Sequence, residues 1–148
     1  VFENNPEELF IDCYPHTILT PHEGEFKKIF GKEIDEINDR VLKTKEASIK
    51  SNTTVVLKGA NTIIASPSGD VVINKSSATY LATAGSGDVL AGIIASLVGK
   101  NKMNAFDAAC AGVWLHSEIG TILGAGMIAE DIIDLIPVTV KKLLKMHQ

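Results

Sequence analysis

The chain is 148 residues long, 45% hydrophobic and 22% charged, with a formal net charge of −4. That is one domain's worth of chain, large enough to bury a core. The negative balance and the lack of a Lys/Arg run argue against a nucleic-acid partner, and neither a membrane-length apolar run nor a basic-then-apolar leader is present.

Cys13 and Cys110 lie far apart without metal-ligand spacing and read as free thiols, which points to the cytoplasm. The opening, Val1 to Asp12, is polar and acidic, with a short helix expected over Pro6 to Leu9. Thr17 to Thr20 is a β-branched and apolar run that reads as a buried strand. Thr20-Pro21-His22-Glu23 follows at once, with Thr20 the expected N-cap, Pro21 the first helical residue and Glu23 the partner in a capping box. Gly31 is the expected stop of that helix. The crossing from strand to helix is where open α/β sheets place ligands.

Ile34 to Ser51 reads as one amphipathic helix, with Ile34, Ile37, Val41, Leu42 and Ile49 on its apolar side and Asn52 closing it. Thr54 to Leu57 is a second buried strand, ended by Lys58-Gly59. Thr62 to Ala65 and Val71 to Ile73 flank Pro67-Ser68-Gly69-Asp70, which predicts a hairpin. Asn74 to Leu81 reads as polar loop.

Thr83-Ala84-Gly85-Ser86-Gly87-Asp88-Val89-Leu90 then opens a strongly apolar helix running to Val98, with Gly99 its expected stop. The first helical turn leaves backbone N–H groups unpaired, and with the positive dipole end it can hold an anion such as phosphate. Gly85 and Gly87 let that anion approach the backbone. Asp88 either caps the helix or acts as the base for a hydroxyl attacking a phosphoryl group. Asn104 caps a helix from Ala105 to Leu123 whose small residues permit close packing. Gly124 to Gly126 breaks it, and a last helix from Ile128 to Met146 is expected to bend or restart at Pro137. The fold class is α/β, with layered helices on a sheet of mixed strand direction and few strands.

Three segments, Thr20 to Glu25, Leu57 to Gly59 and Ala82 to Leu90, together resemble the ribokinase-like fold. More narrowly, their order and spacing are similar to the NAD(P)H-hydrate dehydratases, the carbohydrate kinase, YjeF-related family. Phe106 to Ala109, Leu115-His116 and Gly126 to Pro137 follow the same pattern, so the resemblance runs from about Thr17 onward. It implies a layered α/β/α domain of which residues 1–148 are the C-terminal part, lacking the N-terminal strands.

The reaction implied is a metabolite repair step. ADP or ATP phosphorylates the hydroxyl of hydrated NADH or NADPH, and phosphate then leaves, so the net change is a dehydration by a lyase. Mapped onto this chain, Asp88 would be the base beside the substrate hydroxyl, and the backbone of Gly85, Ser86 and Gly87 would cradle the phosphoryl group. Lys58, Gly59, Ala60, Asn61 and Thr62, with Gly87, would form the nucleotide site, and His22, Glu25 and Asp88 the hydrate site.

Magnesium is implied by phosphoryl transfer, with no residue assigned as its ligand. The expected partners are the hydrate and the nucleotide, with no nucleic acid or membrane, in a cytoplasmic homo-oligomer. Other readings of the same residues are open: His22 packing at a helix start, Lys58 as a solvated strand end, His116 as an ordinary core histidine. One departure from the pattern is Ser77-Ala78-Thr79-Tyr80, where the family usually carries Gly-Asn-Pro-Gly. The alternative functions are a small-molecule kinase of the same superfamily and an inactive nucleotide-binding remnant.

Overall fold

The computed structural model describes residues 5–11, 13–14, 16–75 and 79–146. In chain order the elements are α1 (Pro6–Ile11), β1 (Ile18–Leu19), α2 (Glu23–Asp35), α3 (Arg40–Ser51), β2 (Thr54–Leu57), β3 (Asn61–Ala65), β4 (Val71–Lys75), a 3₁₀ turn (Thr79–Leu81), α4 (Ser86–Gly99), α5 (Ala105–Leu123) and α6 (Ala129–Met146). The four strands form one sheet in sequence order. β1 pairs with β2 in parallel, and β2, β3 and β4 continue antiparallel. The mixed direction expected from the sequence is therefore present, as is the hairpin across Pro67 to Asp70.

All four residues of β2 are buried, which marks a strand covered on both faces. Because side chains alternate, Val55 and Leu57 pack with Phe26, Phe30, Ile34 and Ala47 of α2 and α3. Val56 faces the other way and joins Ile64, Leu90, Ile94, Ala108, Ala109 and Val113 of β3, α4 and α5. Two helical layers thus enclose the sheet, giving the expected α/β/α arrangement. A third cluster, with Ile93, Leu115, Ile119, Met127 and Ile132, holds α6 against α4 and α5.

Several boundaries differ from those read in the sequence. Thr20 does not cap α2. The Pro21 carbonyl still accepts from the Lys58 amide at 2.9 Å, so the chain stays extended through His22, and His22 is the N-cap. Glu23 accordingly takes no part in the capping box, which is completed by Glu25. Gly31, at φ 75° and ψ 175°, is not helical and stops the first helical segment as expected; a second segment follows the kink and runs to Asp35.

Ile34 to Ser51 is two elements: α2 ends before Glu36, and Asp39 caps a new helix by accepting from the amides of Val41 and Leu42. The buried face of α3 is Lys43, Thr44, Ala47, Ser48 and Ser51, while Leu42 and Ile49 are about half exposed, at 47% and 48%. Small hydroxyl residues win that face because they let α3 sit close to the sheet and bond to carbonyls: the single Ser48 hydroxyl proton lies within reach of Thr53 O, at 2.5 Å, and Ala65 O, at 3.1 Å. Asn52 closes α3 in the left-handed conformation, as expected.

Lys58-Gly59 ends β2 but is the start of a tight antiparallel return into β3, a pairing not read from the sequence. β4 extends to Lys75, into the stretch expected to be loop. Of the Ser77-Ala78-Thr79-Tyr80 departure, Ser77 and Ala78 lie outside the described residues, and Thr79 and Tyr80 open the 3₁₀ turn. Gly99 is inside α4, whose C-cap is Lys100. Asn104 caps α5 as expected, accepting from the Asp107 amide. α6 does not restart at Pro137, which sits inside one helix and has no N–H to offer the Ile133 carbonyl.

The small residues of α5 do set its approach to α4. A Cβ built on Gly112 would fall 2.6 Å from Ile94 Cγ1, inside the core. Gly112→Ala is therefore expected to lower stability by about 1–3 kcal/mol in denaturant titration, the usual cost of overpacking. An unchanged midpoint would show that the two helices separate freely.

Candidate active site

The parallel pairing of β1 and β2 continues one step past both strands, as a bridge between His22 and Lys58. It delivers the His22 end of α2 and the start of the β2–β3 turn side by side, at the carboxyl ends of adjacent parallel strands. His22 and Glu25 are locked together: the His22 amide donates to Glu25 Oε2 at 2.8 Å, and the Glu25 amide donates to His22 Nδ1 at 3.1 Å. Glu25 Oε2 lies 3.8 Å from Lys58 Nζ.

The glycine turn closes the other side. Gly85 is the N-cap of α4 at φ 82°, a left-handed conformation that explains the glycine, and no side chain caps the helix. Ser86 N–H donates to Thr83 O, and the amides of Asp88 and Val89 to Gly85 O. The Gly87 amide is left without a backbone acceptor among the described residues. A Cβ on Gly87 would stand 3.2 Å from Lys58 Nζ, so the lysine ammonium rests against this turn. Lys58 thus bridges the two halves of the site, with Glu25 on one side and Gly87 on the other.

Between them is a cavity of about 600 Å³, a volume suited to a small-molecule ligand. His22, Lys58, Gly59, Ala60 and Thr62 line it from the strand ends, and Ser86 and Gly87 from α4. Leu81, Leu90 and Val113 supply an apolar wall. Of the residues named from the sequence, Glu25, Asn61, Gly85 and Asp88 are not among those lining the cavity. Glu25 reaches it through His22 and Lys58. Asp88 is exposed on the first turn of α4, and its carboxylate makes no hydrogen bond or ion pair among the described residues. It does not cap the helix.

His116 also lines the cavity, a position the sequence reading did not assign to the site. It is buried, and its Nε2 lies 3.0 Å from the Ser86 carbonyl. A carbonyl only accepts, so Nε2 carries the proton. Burial lowers the pKa of His116 below its ordinary value, the charge of Lys58 acts in the same direction, and the Ser86 carbonyl opposes both. The signal was present in the spacing. Gly112, His116 and Gly120 recur four apart on one face of α5, and that face meets Ile94, Ser86 and Leu81 in turn.

Glu23, which the sequence placed in a capping box, instead accepts from Arg40 Nε at 2.7 Å and Lys43 Nζ at 2.8 Å. Burial would raise its pKa, but these two bonds and the two positive charges hold it below the usual carboxylate value. Among the described residues no three His, Cys, Asp or Glu side chains gather as a metal site, and no helix is long and apolar enough to cross a membrane.

Comparison with known proteins gives one family. The model of the family described as NAD(P)H-hydrate dehydratase matches residues 2–137. The chain is similar to the ADP-dependent (S)-NAD(P)H-hydrate dehydratase of Neisseria meningitidis serogroup B, at 40% identity over 122 residues, 78% of this chain and 41% of that protein. It is also similar to the bifunctional NAD(P)H-hydrate repair enzyme Nnr of Escherichia coli, at 36% identity over 78% of this chain and 23% of that protein. Among solved structures, the ADP/ATP-dependent NAD(P)H-hydrate dehydratase of Bacillus subtilis, co-crystallized with ATP/Mg²⁺ and soaked with CoA, superposes with a TM-score of 0.77 at 32% identity. That match covers 84% of this chain and 48% of the other. The chain thus spans less than half the length of each of these relatives.

The lowered pKa of His116 predicts a pH-dependent contribution to stability. The unfolded chain takes up the histidine proton at about pH 6.5 and the folded chain only at lower pH, so stability falls as pH drops through that window. In denaturant titrations at pH 7.5 and 5.5, wild type is expected to lose more stability on acidification than His116→Gln. Equal losses would mean that His116 titrates normally in the folded protein.

Proposed function

The chain belongs to the NAD(P)H-hydrate dehydratase family, and on that premise we propose that it carries the phosphoryl-transfer site of an ADP- or ATP-dependent dehydratase acting on hydrated NADH or NADPH. The observation that carries this reading is the position of Lys58, with its ammonium 3.8 Å from Glu25 Oε2 and against Gly87. One cation thereby joins the three segments, Thr20 to Glu25, Leu57 to Gly59 and Ala82 to Leu90, that carry the resemblance to the family.

The roles follow from charge and geometry. A nucleotide would lie along Lys58, Gly59, Ala60, Asn61 and Thr62, with its transferable phosphoryl group toward the turn Gly85-Ser86-Gly87. The spare Gly87 amide, the dipole of α4 and the Lys58 ammonium all favour negative charge there. Charge accumulates on the phosphoryl oxygens during transfer, so these fixed donors would stabilise the transition state.

His22 would border the hydrate, with Glu25 holding its ring through Nδ1. Asp88, unengaged on the first turn, would take the proton of the attacking hydroxyl. The hydroxyl oxygen bonds to phosphorus, and the nucleotide leaves one phosphate shorter. Cleavage of the carbon–oxygen bond then expels phosphate, the adjacent carbon gives up a proton to solvent, and the nicotinamide double bond is restored. Magnesium, which neutralises phosphate charge, binds through nucleotide phosphates and its own waters and asks for one or two carboxylates at most.

The direct test supplies NADPH hydrate with ADP, ATP or neither and follows recovery of NADPH absorbance. Nucleotide-dependent recovery is expected. A stable phosphorylated product would make the protein a kinase, and nucleotide uptake without turnover a binding remnant. Asp88→Asn is expected to lower turnover by about 10²–10⁴-fold, the range for general-base removal, with nucleotide affinity retained; near wild-type turnover would exclude Asp88 as base. Lys58→Ala is expected to weaken nucleotide binding by about ten- to a hundred-fold in calorimetry, the value of a charge-assisted bond. Unchanged affinity would take Lys58 out of the site.

A further inference from the structure

Arg40, the first residue of α3, does not line the cavity, yet its guanidinium lies directly behind the Lys58 to Asn61 turn. Nη1 donates to the Asn61 carbonyl at 2.7 Å, and Nη2 reaches the Lys58 carbonyl at 3.5 Å. A Cβ on Gly59 would fall 2.7 Å from Nη2, so the glycine leaves room for the guanidinium beside the turn. The third face of the fork is fixed as well, since Nε donates to Glu23 Oε1 at 2.7 Å. Glu23 cannot swing away, because Lys43 holds its other oxygen at 2.8 Å. Glu23 is also the residue after His22, at the start of α2.

We propose that Arg40 is a positioning residue: it sets the shape of the Lys58 to Asn61 turn for nucleotide binding and, through Glu23, fixes that turn relative to His22. The proposal rests on the reading of this turn as the nucleotide site. The chemistry calls for arginine specifically. One planar group must donate to two carbonyls and a carboxylate in fixed directions, which the single ammonium of lysine does not do. A turn ordered before the nucleotide arrives spares the ligand that ordering cost, so loosening it appears as lost affinity.

The test uses the full chain with Arg40→Ala and Arg40→Lys. ADP affinity is read by calorimetry, hydrogen exchange at the amides of residues 59–61 without ligand, and melting temperature alongside. Arg40→Ala is expected to bind ADP at least tenfold more weakly and to exchange those amides at least tenfold faster. Millimolar guanidinium chloride should restore both, and sodium chloride at the same concentration neither. Arg40→Lys should stay impaired in both readouts. Unchanged affinity and exchange in a folded Arg40→Ala would overturn the proposal, as would losses that guanidinium does not restore and that merely track melting temperature. If wild type binds no ADP while Arg40→Ala still shows fast, guanidinium-reversible exchange, the nucleotide reading fails and the anchoring of the turn stands.

Discussion

The hydrogen bond from the Lys58 amide to the Pro21 carbonyl, at 2.9 Å, is the constraint on which the site depends. It extends the parallel pairing of β1 and β2 beyond their last residues and holds the extended backbone of His22 beside Lys58. Parallel strands need a crossover between them, and α2 and α3 supply it while covering one face of the sheet. The same crossover carries Glu23, Glu25 and Arg40 to the strand ends. The sheet's packing and the site's charges are therefore set by one stretch of chain, from β1 through α3 to β2.

That constraint also explains where the sequence misled. Thr20-Pro21 has the composition of a helix start, and local preference alone puts the cap there. The preference yields because the Pro21 carbonyl is claimed by the neighbouring strand, a long-range partner no local pattern contains. The helix begins two residues later, and the capping box moves to His22 and Glu25. For α3 the misleading residues were Leu42 and Ile49. Hydrophobicity placed them inside, but the layer between α3 and the sheet is thin, and Thr44, Ser48 and Ser51 fill it with hydroxyls that bond to carbonyls.

Other parts were legible because the cause was local. Asn104 caps α5 with its own side chain, and Asn52 closes α3 in left-handed backbone, both as their local chemistry predicts. The buried run of β2 and the hairpin from β3 to β4 followed from pattern and turn chemistry. Of the motif residues, His22, Lys58, Gly59, Ala60, Thr62, Ser86 and Gly87 come to one cavity, while Glu25, Asn61, Gly85 and Asp88 do not line it. The supporting residues were harder to find. Arg40 sits on an exposed-looking helix start and His116 on an apolar helix, and each acts on a backbone carbonyl that only the fold brings near.

On the proposed reading a phosphate sits near Asp88, and the surrounding charges temper the repulsion between them. Asp88 is exposed, so water screens its charge, and it stands on the first turn of α4, where the dipole stabilises a carboxylate. Lys58 rests against Gly87 and meets Glu25 at 3.8 Å, a separation at which the lysine is oriented but keeps donors to spare. His116, kept neutral by burial, adds no competing cation behind the turn and anchors Ser86 through its Nε2 proton. Positive charge is thus placed at Gly87 and Lys58, while Asp88 is not among the residues lining the cavity. On the proposed reading, an anion held at the turn would meet the Gly87 amide and the Lys58 ammonium, with the exposed Asp88 carboxylate on the same helical turn.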